Sequence, residues 1–117
     1  MNNEIVWSPP EEIVKSSKLT KFLKFCKLSD YDELEKKSYS DPGWLWDNVI
    51  KFSDLKFYHP YKKIMDDSKG APWTKWCVGG KTNIVLNCID RHKDKKVFNE
   101  TFIFAEREDG TKSSITY

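Results

Sequence analysis

Residues 76–92 read WCVGGKTNIVLNCIDRH, and this stretch carries the strongest local signals in the 117-residue chain. The glycine pair, Gly79 and Gly80, is typical of a tight turn, because glycine accepts backbone conformations that other residues avoid. Thr82 or Asn83 then supplies a side-chain oxygen that can cap a helix. We therefore predict a turn followed by a helix that runs to the end of the stretch. We expect three side chains of this helix to face inward: Val85, Cys88 and Ile89.

The same stretch offers two candidate ligand sites, and both are weak. Cys77, Cys88 and His92 would be zinc ligands at unfavourable spacing, with no fourth ligand. Residues 78–82, VGGKT, end like a phosphate-binding loop but lack its upstream glycine and a preceding buried strand. We interpret these residues as buried thiols, a surface histidine and an ordinary turn. We predict no catalytic, cofactor-binding or metal-binding residue on this chain.

Local patterns elsewhere predict helices in the first part of the chain. Glu11 and Glu12 suit the first turn of a helix that begins after Pro10. A second helix has an apolar stripe and is capped by Ser16 or Ser17, while its lysines form a solvated face. The stripe is Leu19, Phe22, Leu23 and Cys26. A third helix spans residues 31–37 with Ser29 or Asp30 as its cap, and a fourth begins with Asp41 as cap and Pro42 at its first position.

The second part of the chain predicts β structure as well. Residues 62–65 form a short strand, and residues 101–106, TFIFAE, alternate in the two-residue period of a strand. Asp109 and Gly110 mark a hairpin turn, after which residues 112–117 return. The predicted fold class is α+β: a small helical N-terminal region followed by a helix and a C-terminal β-hairpin.

Composition favours a chain that docks on another protein. Aromatic residues make up 15% of the chain, whereas all hydrophobic residues together make up only 38%. The usual count of apolar residues includes glycine and leaves out tyrosine, and because the chain has five of each, this count is also 38%. Globular domains have about 45–50% on that count. Aromatic side chains are enriched at protein interfaces. We expect five of them to remain uncovered: Trp44, Trp46, Trp73, Phe102 and Phe104.

Charge and cysteine content limit the class of protein. A net charge of +2 is too small to indicate nucleic-acid binding. The sequence has no apolar run long enough for a membrane span and no secretory signal at its start. Three cysteines, an odd number, favour reduced thiols. We therefore predict a cytoplasmic protein that binds neither nucleic acid nor membranes.

The pattern Trp76-x-Val-Gly-Gly-Lys-x-Asn-x-x-x-Asn-x-x-Asp-Arg-His resembles a segment near the N-terminus of AMP-forming acetyl-CoA synthetases. Asp41-Pro42 followed by Trp46, and GTKSSITY at 110–117, are similar to two further parts of this region. Residues 6–22 are more similar to the start of acetoacetyl-CoA synthetases. Cys77 and Thr82 depart from the family pattern, which has Phe and Leu there, and residues 93–100 look looser than the family segment.

The resemblance implies one N-terminal domain over residues 1–117, with a helical part at 1–70 and the Gly-Gly turn, helix and hairpin at 71–117. The family's catalytic domains are absent, so ATP, magnesium and coenzyme A would bind the missing catalytic part. The partner would be a separate catalytic chain or a second copy. The residues expected to serve structure or docking are Trp76, Gly79, Gly80, Asn83, Asn87, Asp90, Arg91, Trp44 and Trp46. The alternative is a truncated, stand-alone interaction or regulatory domain, and an independent small enzyme is disfavoured.

Overall fold

The computed structural model describes residues 6–117. Within them it has five α-helices and two separate two-stranded antiparallel sheets, which confirms the predicted α+β class. The chain divides into two compact units, the first ending at Asp54 and the second spanning Leu55–Tyr117. The sequence predicted a boundary after residue 70 between two parts of one family domain, and this boundary stays a prediction. The two compact units of the structure meet earlier, after Asp54.

The first unit is helical, as predicted. Residues 1–10, which end in the pair Pro9-Pro10, are expected to be extended. Residues 6–10 have no regular structure, and residues 1–5 lie outside the described part of the chain. The helices are α1 (Glu11–Ser16), α2 (Lys18–Cys26), α3 (Tyr31–Ser40) and α4 (Pro42–Phe52). Side-chain oxygens of Ser17, Asp30 and Asp41 accept hydrogen bonds at the starts of α2, α3 and α4. These three residues were among the predicted caps, and capping satisfies backbone N–H groups that lack a partner within the helix.

The small core of the first unit lies between helices α2 and α4. Phe22, on the predicted stripe of α2, is buried, and its ring meets that of Phe52 on α4 edge-on, with 5.2 Å between centroids. The Phe25 ring lies 5.5 Å from that of Phe52. Leu34 on α3 is the other buried apolar residue of the described chain. Burial raises the pKa of the Cys26 thiol, which lies on the same stripe.

Helix α3 is longer than predicted. It continues to Ser40 instead of ending near Lys37, and the N–H of Asp41 still donates to the Lys37 carbonyl at 2.9 Å. Pro42 then prevents continuation, because the residue before a proline is driven away from helical backbone angles. The proline, and not a loss of apolar periodicity, therefore determines where the helix ends.

The second unit contains both sheets. Its elements are β1 (Lys63–Asp66), β2 (Lys75–Val78), α5 (Ile84–Cys88), β3 (Thr101–Glu106) and β4 (Lys112–Thr116), with short 3₁₀ turns at Ala71–Trp73, Asp90–His92 and Lys96–Asn99. Strand β1 was predicted one residue earlier. It pairs with β2, which was not predicted, and places Met65 opposite Trp76. Four residues that include a lysine and a cysteine give too short a pattern to identify a strand.

The helix predicted in residues 76–92 is shorter than expected. Helix α5 has five residues and ends at Cys88, because the φ of −122° and ψ of −64° of the next residue, Ile89, lie outside the helical region. The chain then continues as a 3₁₀ turn. The inward face was also partly wrong, because Val85 and Cys88 are exposed whereas Leu86 and Ile89 are half-buried. A helix of little more than one turn is too short to present a full apolar stripe.

The predicted C-terminal hairpin is present. Ile103 lies opposite Ile115 and Phe104 opposite Ser114, with an irregularity between Thr101 and Ile103. Gly110 in the connecting turn has a φ of +79°, which suits glycine. Every residue of the two strands is exposed except Thr101, which is half-buried. The hairpin therefore covers little of its own apolar surface.

Candidate functional site

The Gly-Gly turn reverses the chain directly after strand β2. Cys77 and Gly79 both have positive φ, +49° and +80°, and the N–H of Gly80 donates to the Cys77 carbonyl at 2.8 Å. A β-carbon added to Gly80 would lie 3.0 Å from that carbonyl oxygen and 3.1 Å from atoms of both Phe57 and Tyr61. Gly79 is therefore required for its backbone angles and Gly80 for the close approach of its neighbours.

Backbone hydrogen bonds join this turn to residues 58–62. The N–H groups of Tyr58 and His59 donate to the Lys81 carbonyl at 2.8 and 3.3 Å, and the N–H of Lys81 donates to the His59 carbonyl at 2.9 Å. The N–H of Lys62 also donates to the Val78 carbonyl at 2.9 Å. His59 forms an isolated β-bridge with Lys81. The turn is thus held as part of a small sheet and not as a loop.

Two asparagines order the chain that follows the turn. The Asn83 side-chain oxygen accepts a hydrogen bond from the Leu86 N–H at 2.7 Å, which caps helix α5. Asn87 reaches Lys56, which lies far away in sequence: its oxygen accepts from the Lys56 N–H at 2.7 Å, and its amide nitrogen donates to the Lys56 carbonyl at 3.0 Å. The Thr82 hydroxyl donates to the same carbonyl at 2.6 Å. This polar cluster of Lys56, Thr82 and Asn87 connects the start of the second unit to α5.

The Asp-Arg-His end of the stretch has two different environments. The Asp90 carboxylate accepts from the Lys93 ammonium at 2.9 Å, and this bond raises the pKa of Lys93. Arg91 is half-buried. His92 is half-buried too, which corrects the surface position expected for it, and its ring lies edge-on to that of Tyr117 at 5.3 Å. Its Nδ1 atom is buried and has no hydrogen-bond partner within the described residues.

The tryptophans expected to dock differ in exposure. Trp46 is 48% exposed, Trp76 46% and Trp73 69%. Trp44 is half-buried, and the Lys37 ammonium lies 4.1 Å from the centre of its ring. Trp44 therefore has a cation–π partner inside the first unit. Of the five aromatics expected to stay uncovered, Trp44 is the one that the structure removes from the exposed group.

The predicted site residues belong to both compact units. Seven of them, including Trp76 and Arg91, lie in the second unit, whereas Trp44 and Trp46 lie on α4 of the first. Two residues that surround the turn, Phe57 and Tyr61, were missed. Their rings meet at 5.4 Å between centroids. The sequence signal for them is the aromatic run in KFYHPY at 56–61.

The part of the chain that the structure describes has neither a metal-binding cluster nor a membrane-spanning helix. Between residues 6 and 117 no group of three or more His, Cys, Asp or Glu side chains is placed to hold a metal ion. No helix in that range is long and apolar enough to cross a membrane.

Three carboxylates at helix starts and turns have lowered pKa values. Hydrogen bonds from neighbouring N–H and hydroxyl groups lower the pKa values of Asp30, Glu33 and Asp109.

Comparison with known families identifies the region. The family model described as the acetyl-coenzyme A synthetase N-terminus matches residues 31–88, from α3 through the Gly-Gly turn to the end of α5. The chain belongs to this family. The match includes Asp41, the cap of α4, the glycine pair, and both Asn83 and Asn87, so the segments ordered by these contacts are also segments that the family shares.

Relatives of this family align with most of the chain. Acetyl-coenzyme A synthetase of Wolinella succinogenes is 36% identical over 90 residues, which cover 77% of this chain and 13% of the relative. The enzyme of the same name from Methanothrix soehngenii is 33% identical over 116 residues, covering 96% of this chain and 17% of the relative. 3-Hydroxypropionyl-coenzyme A synthetase of Sulfurisphaera tokodaii is 36% identical over 87 residues, covering 74% and 13%. The chain spans less than a fifth of the length of these relatives.

Proposed function

We propose that this chain is a non-catalytic N-terminal part of an AMP-forming acyl-coenzyme A synthetase of the acetyl- or acetoacetyl-CoA type, and that it docks on a separate adenylating chain. The family match at the Gly-Gly turn supports the enzyme class. The small share of each relative that the chain covers, 13% and 17% in the two acetyl-coenzyme A synthetases, supports the role of a part and not of the whole enzyme.

The main observation that supports docking is the exposure of many large apolar side chains. In the described part of the chain, Phe22 and Leu34 are the only buried apolar residues. By contrast, Trp73, Ile84 and Phe104 are 69%, 72% and 82% exposed. Large apolar surfaces left open in this way mark sites of interaction with another protein. A larger catalytic chain would supply the surface that covers them.

The catalytic groups belong to the partner in this proposal. ATP, magnesium and coenzyme A bind the adenylating chain, and this chain contributes contacts and stability. The proposed compartment is the cytoplasm, where the three cysteines remain thiols. In this proposal, the docking surface includes Trp46 and Trp76. The fold of the chain itself is stabilised by Gly79, Gly80, Asn83, Asn87 and Asp90.

Affinity purification from the native cell tests the proposal. The chain is tagged at its own locus, and both its intact mass and the proteins that copurify with it are determined by mass spectrometry. We expect a chain of 13.8 kDa plus the tag, together with an acyl-CoA synthetase-like protein that lacks this region. A test variant carries Trp76→Ala, which removes a half-exposed side chain of the proposed docking surface and should recover less of that protein.

Two results would contradict the proposal. A native polypeptide several times longer than 117 residues would show that the catalytic part is not a separate chain. A chain of the expected mass that copurifies with no synthetase-like protein would instead favour the alternative of a stand-alone interaction domain.

A further inference from the structure

The C-terminal hairpin has apolar side chains on both of its faces. Successive side chains of a strand point to opposite faces of the sheet. Ile103 therefore lies on one face, together with its cross-strand partner Ile115, and Phe104 lies on the other. All three are exposed, at 42%, 59% and 82%. A ribbon that packed on a single surface would need only one apolar face, as antiparallel sheets with one solvated face show.

The outer edge of strand β3 is also unprotected. In the described chain β3 pairs with β4 alone, so its other edge has unpaired backbone groups. Natural proteins protect such edges with lysines, prolines or a covering element. Strand β3 has no proline and its one charged residue is Glu106 at its end, whereas β4 begins with Lys112, the residue type that most often protects an exposed edge. The edge of β3 is therefore the one suited to pairing with another strand.

We propose that the hairpin docks by strand addition: the outer edge of β3 pairs with a sheet edge of the catalytic part of an acyl-CoA synthetase, and both faces of the ribbon become covered. This inference rests on the proposed function and adds the mode of docking to it. The choice of occupant follows from the relatives. The Methanothrix soehngenii alignment covers 96% of this chain and hence includes β3, while this chain covers only 17% of that enzyme, so a much larger polypeptide accompanies the same hairpin there.

Three lysine substitutions at exposed positions form a matched set of variants that tests this proposal. Ile103→Lys tests one face of the ribbon, and Phe104→Lys tests the other. Tyr39→Lys is the control, because Tyr39 is 79% exposed, close to the 82% of Phe104, but lies on helix α3 outside the hairpin. The probe is the remainder of the Methanothrix soehngenii acetyl-coenzyme A synthetase without its aligned segment, coexpressed with this chain as a second polypeptide. Amide exchange at Lys62 and Lys81 in the second unit, and in helix α3 of the first unit, verifies that each variant keeps its fold.

We expect the chain and the probe to copurify, with exchange slowed more in β3 than in β4. Each hairpin variant should weaken binding about tenfold or more, because a charge placed in a desolvated interface lacks a partner, and Tyr39→Lys should not. If the complex forms but only one hairpin variant weakens it, or β4 is protected instead of β3, strand addition is wrong and the proposed function still stands. If the unaltered chain forms no complex with the probe, the inference is overturned together with the proposed function.

Discussion

Gly80 is the residue with the least room for a side chain. The neighbours that a β-carbon would meet are the Cys77 carbonyl, the Phe57 ring and the Tyr61 β-carbon, all at 3.0–3.1 Å. We expect Gly80→Ala to destabilise the chain by about 1–3 kcal/mol, the usual cost of overpacking a filled site. Denaturant unfolding measures this change.

A second glycine provides the contrast to Gly80. Gly110 has a φ of +79° but no neighbour within 4 Å of an added β-carbon, so Gly110→Ala introduces backbone strain without a clash. Its expected cost is about 1–2 kcal/mol. Amide exchange should accelerate at Lys81 in the Gly80 variant and at the hairpin in the Gly110 variant. A Gly80→Ala chain with unchanged stability and exchange would contradict the close packing of the turn.

Asn87 joins segments that are distant in sequence, whereas Asn83 acts only within α5. Asn87→Ala removes both hydrogen bonds to the Lys56 backbone, while Thr82 still donates to the Lys56 carbonyl. We expect a loss of about 1–3 kcal/mol, since the Lys56 N–H loses its Asn87 acceptor and the Lys56 carbonyl loses one of its two donors. Asn83→Ala removes a single cap bond, worth about 1 kcal/mol. Equal losses, measured by thermal unfolding of the two variants, would mean that the polar cluster adds nothing beyond a cap.

At the scale of single elements, the start of helix α3 should respond to acid. The Glu33 N–H, and then the Ser29 hydroxyl, lower the pKa of Asp30 below its ordinary 3.8. The Ser29 N–H and hydroxyl likewise lower that of Glu33 below 4.5. Because both folded-state pKa values are depressed, the stabilisation is complete above the ordinary values and is lost as pH falls through the folded ones. We expect the first turn of α3 to fray in that acidic range.

Chemical shifts of the Glu33 and Leu34 amides, followed by NMR during acidification, measure this fraying. Asp30→Asn combined with Glu33→Gln is the control, because these side chains still accept hydrogen bonds but do not titrate in this range. The double variant should show no acid transition in α3. A transition of the same size in the double variant would assign the acid response to another part of the molecule.

At the scale of the whole molecule, the exposed apolar surface should make the isolated chain associate with itself. An isolated two-stranded hairpin is marginally stable unless it packs on something, and Phe104 and Ile115 are open to solvent here. We expect light scattering to show species larger than a 13.8 kDa monomer at moderate concentration, and Phe104→Lys to reduce them. A monodisperse monomer with a sharp unfolding transition would contradict this expectation.

The purified chain should neither bind ATP nor form an acyl-adenylate by itself. Catalysis of adenylate formation requires positioned cationic and backbone donors around the phosphates, and in the proposed assembly the adenylating chain supplies them. Titration calorimetry with ATP and magnesium checks the first part, and pyrophosphate exchange with acetate checks the second. Micromolar ATP binding by the isolated chain would overturn the assignment of the nucleotide site to the partner.

The sequence by itself determined the features that depend on near neighbours. The caps at Ser17, Asp30 and Asp41 could be predicted because an N-cap bonds a backbone N–H three residues away. The hairpin turn could be predicted from Asp109-Gly110 for the same reason. The family could be predicted because the segment from Trp76 to His92 resembles a segment of its members, and this segment is a local pattern too.

Only the tertiary structure decided the features that depend on distant residues. Strand β2 exists because β1 pairs with it and places Met65 opposite Trp76. Asn87 holds Lys56, which no local pattern links to it. His92 is half-buried because Tyr117, at the other end of the second unit, lies against its ring. In each case the energy comes from a contact between segments that the chain brings together by folding, so short-range preference carries no information about it.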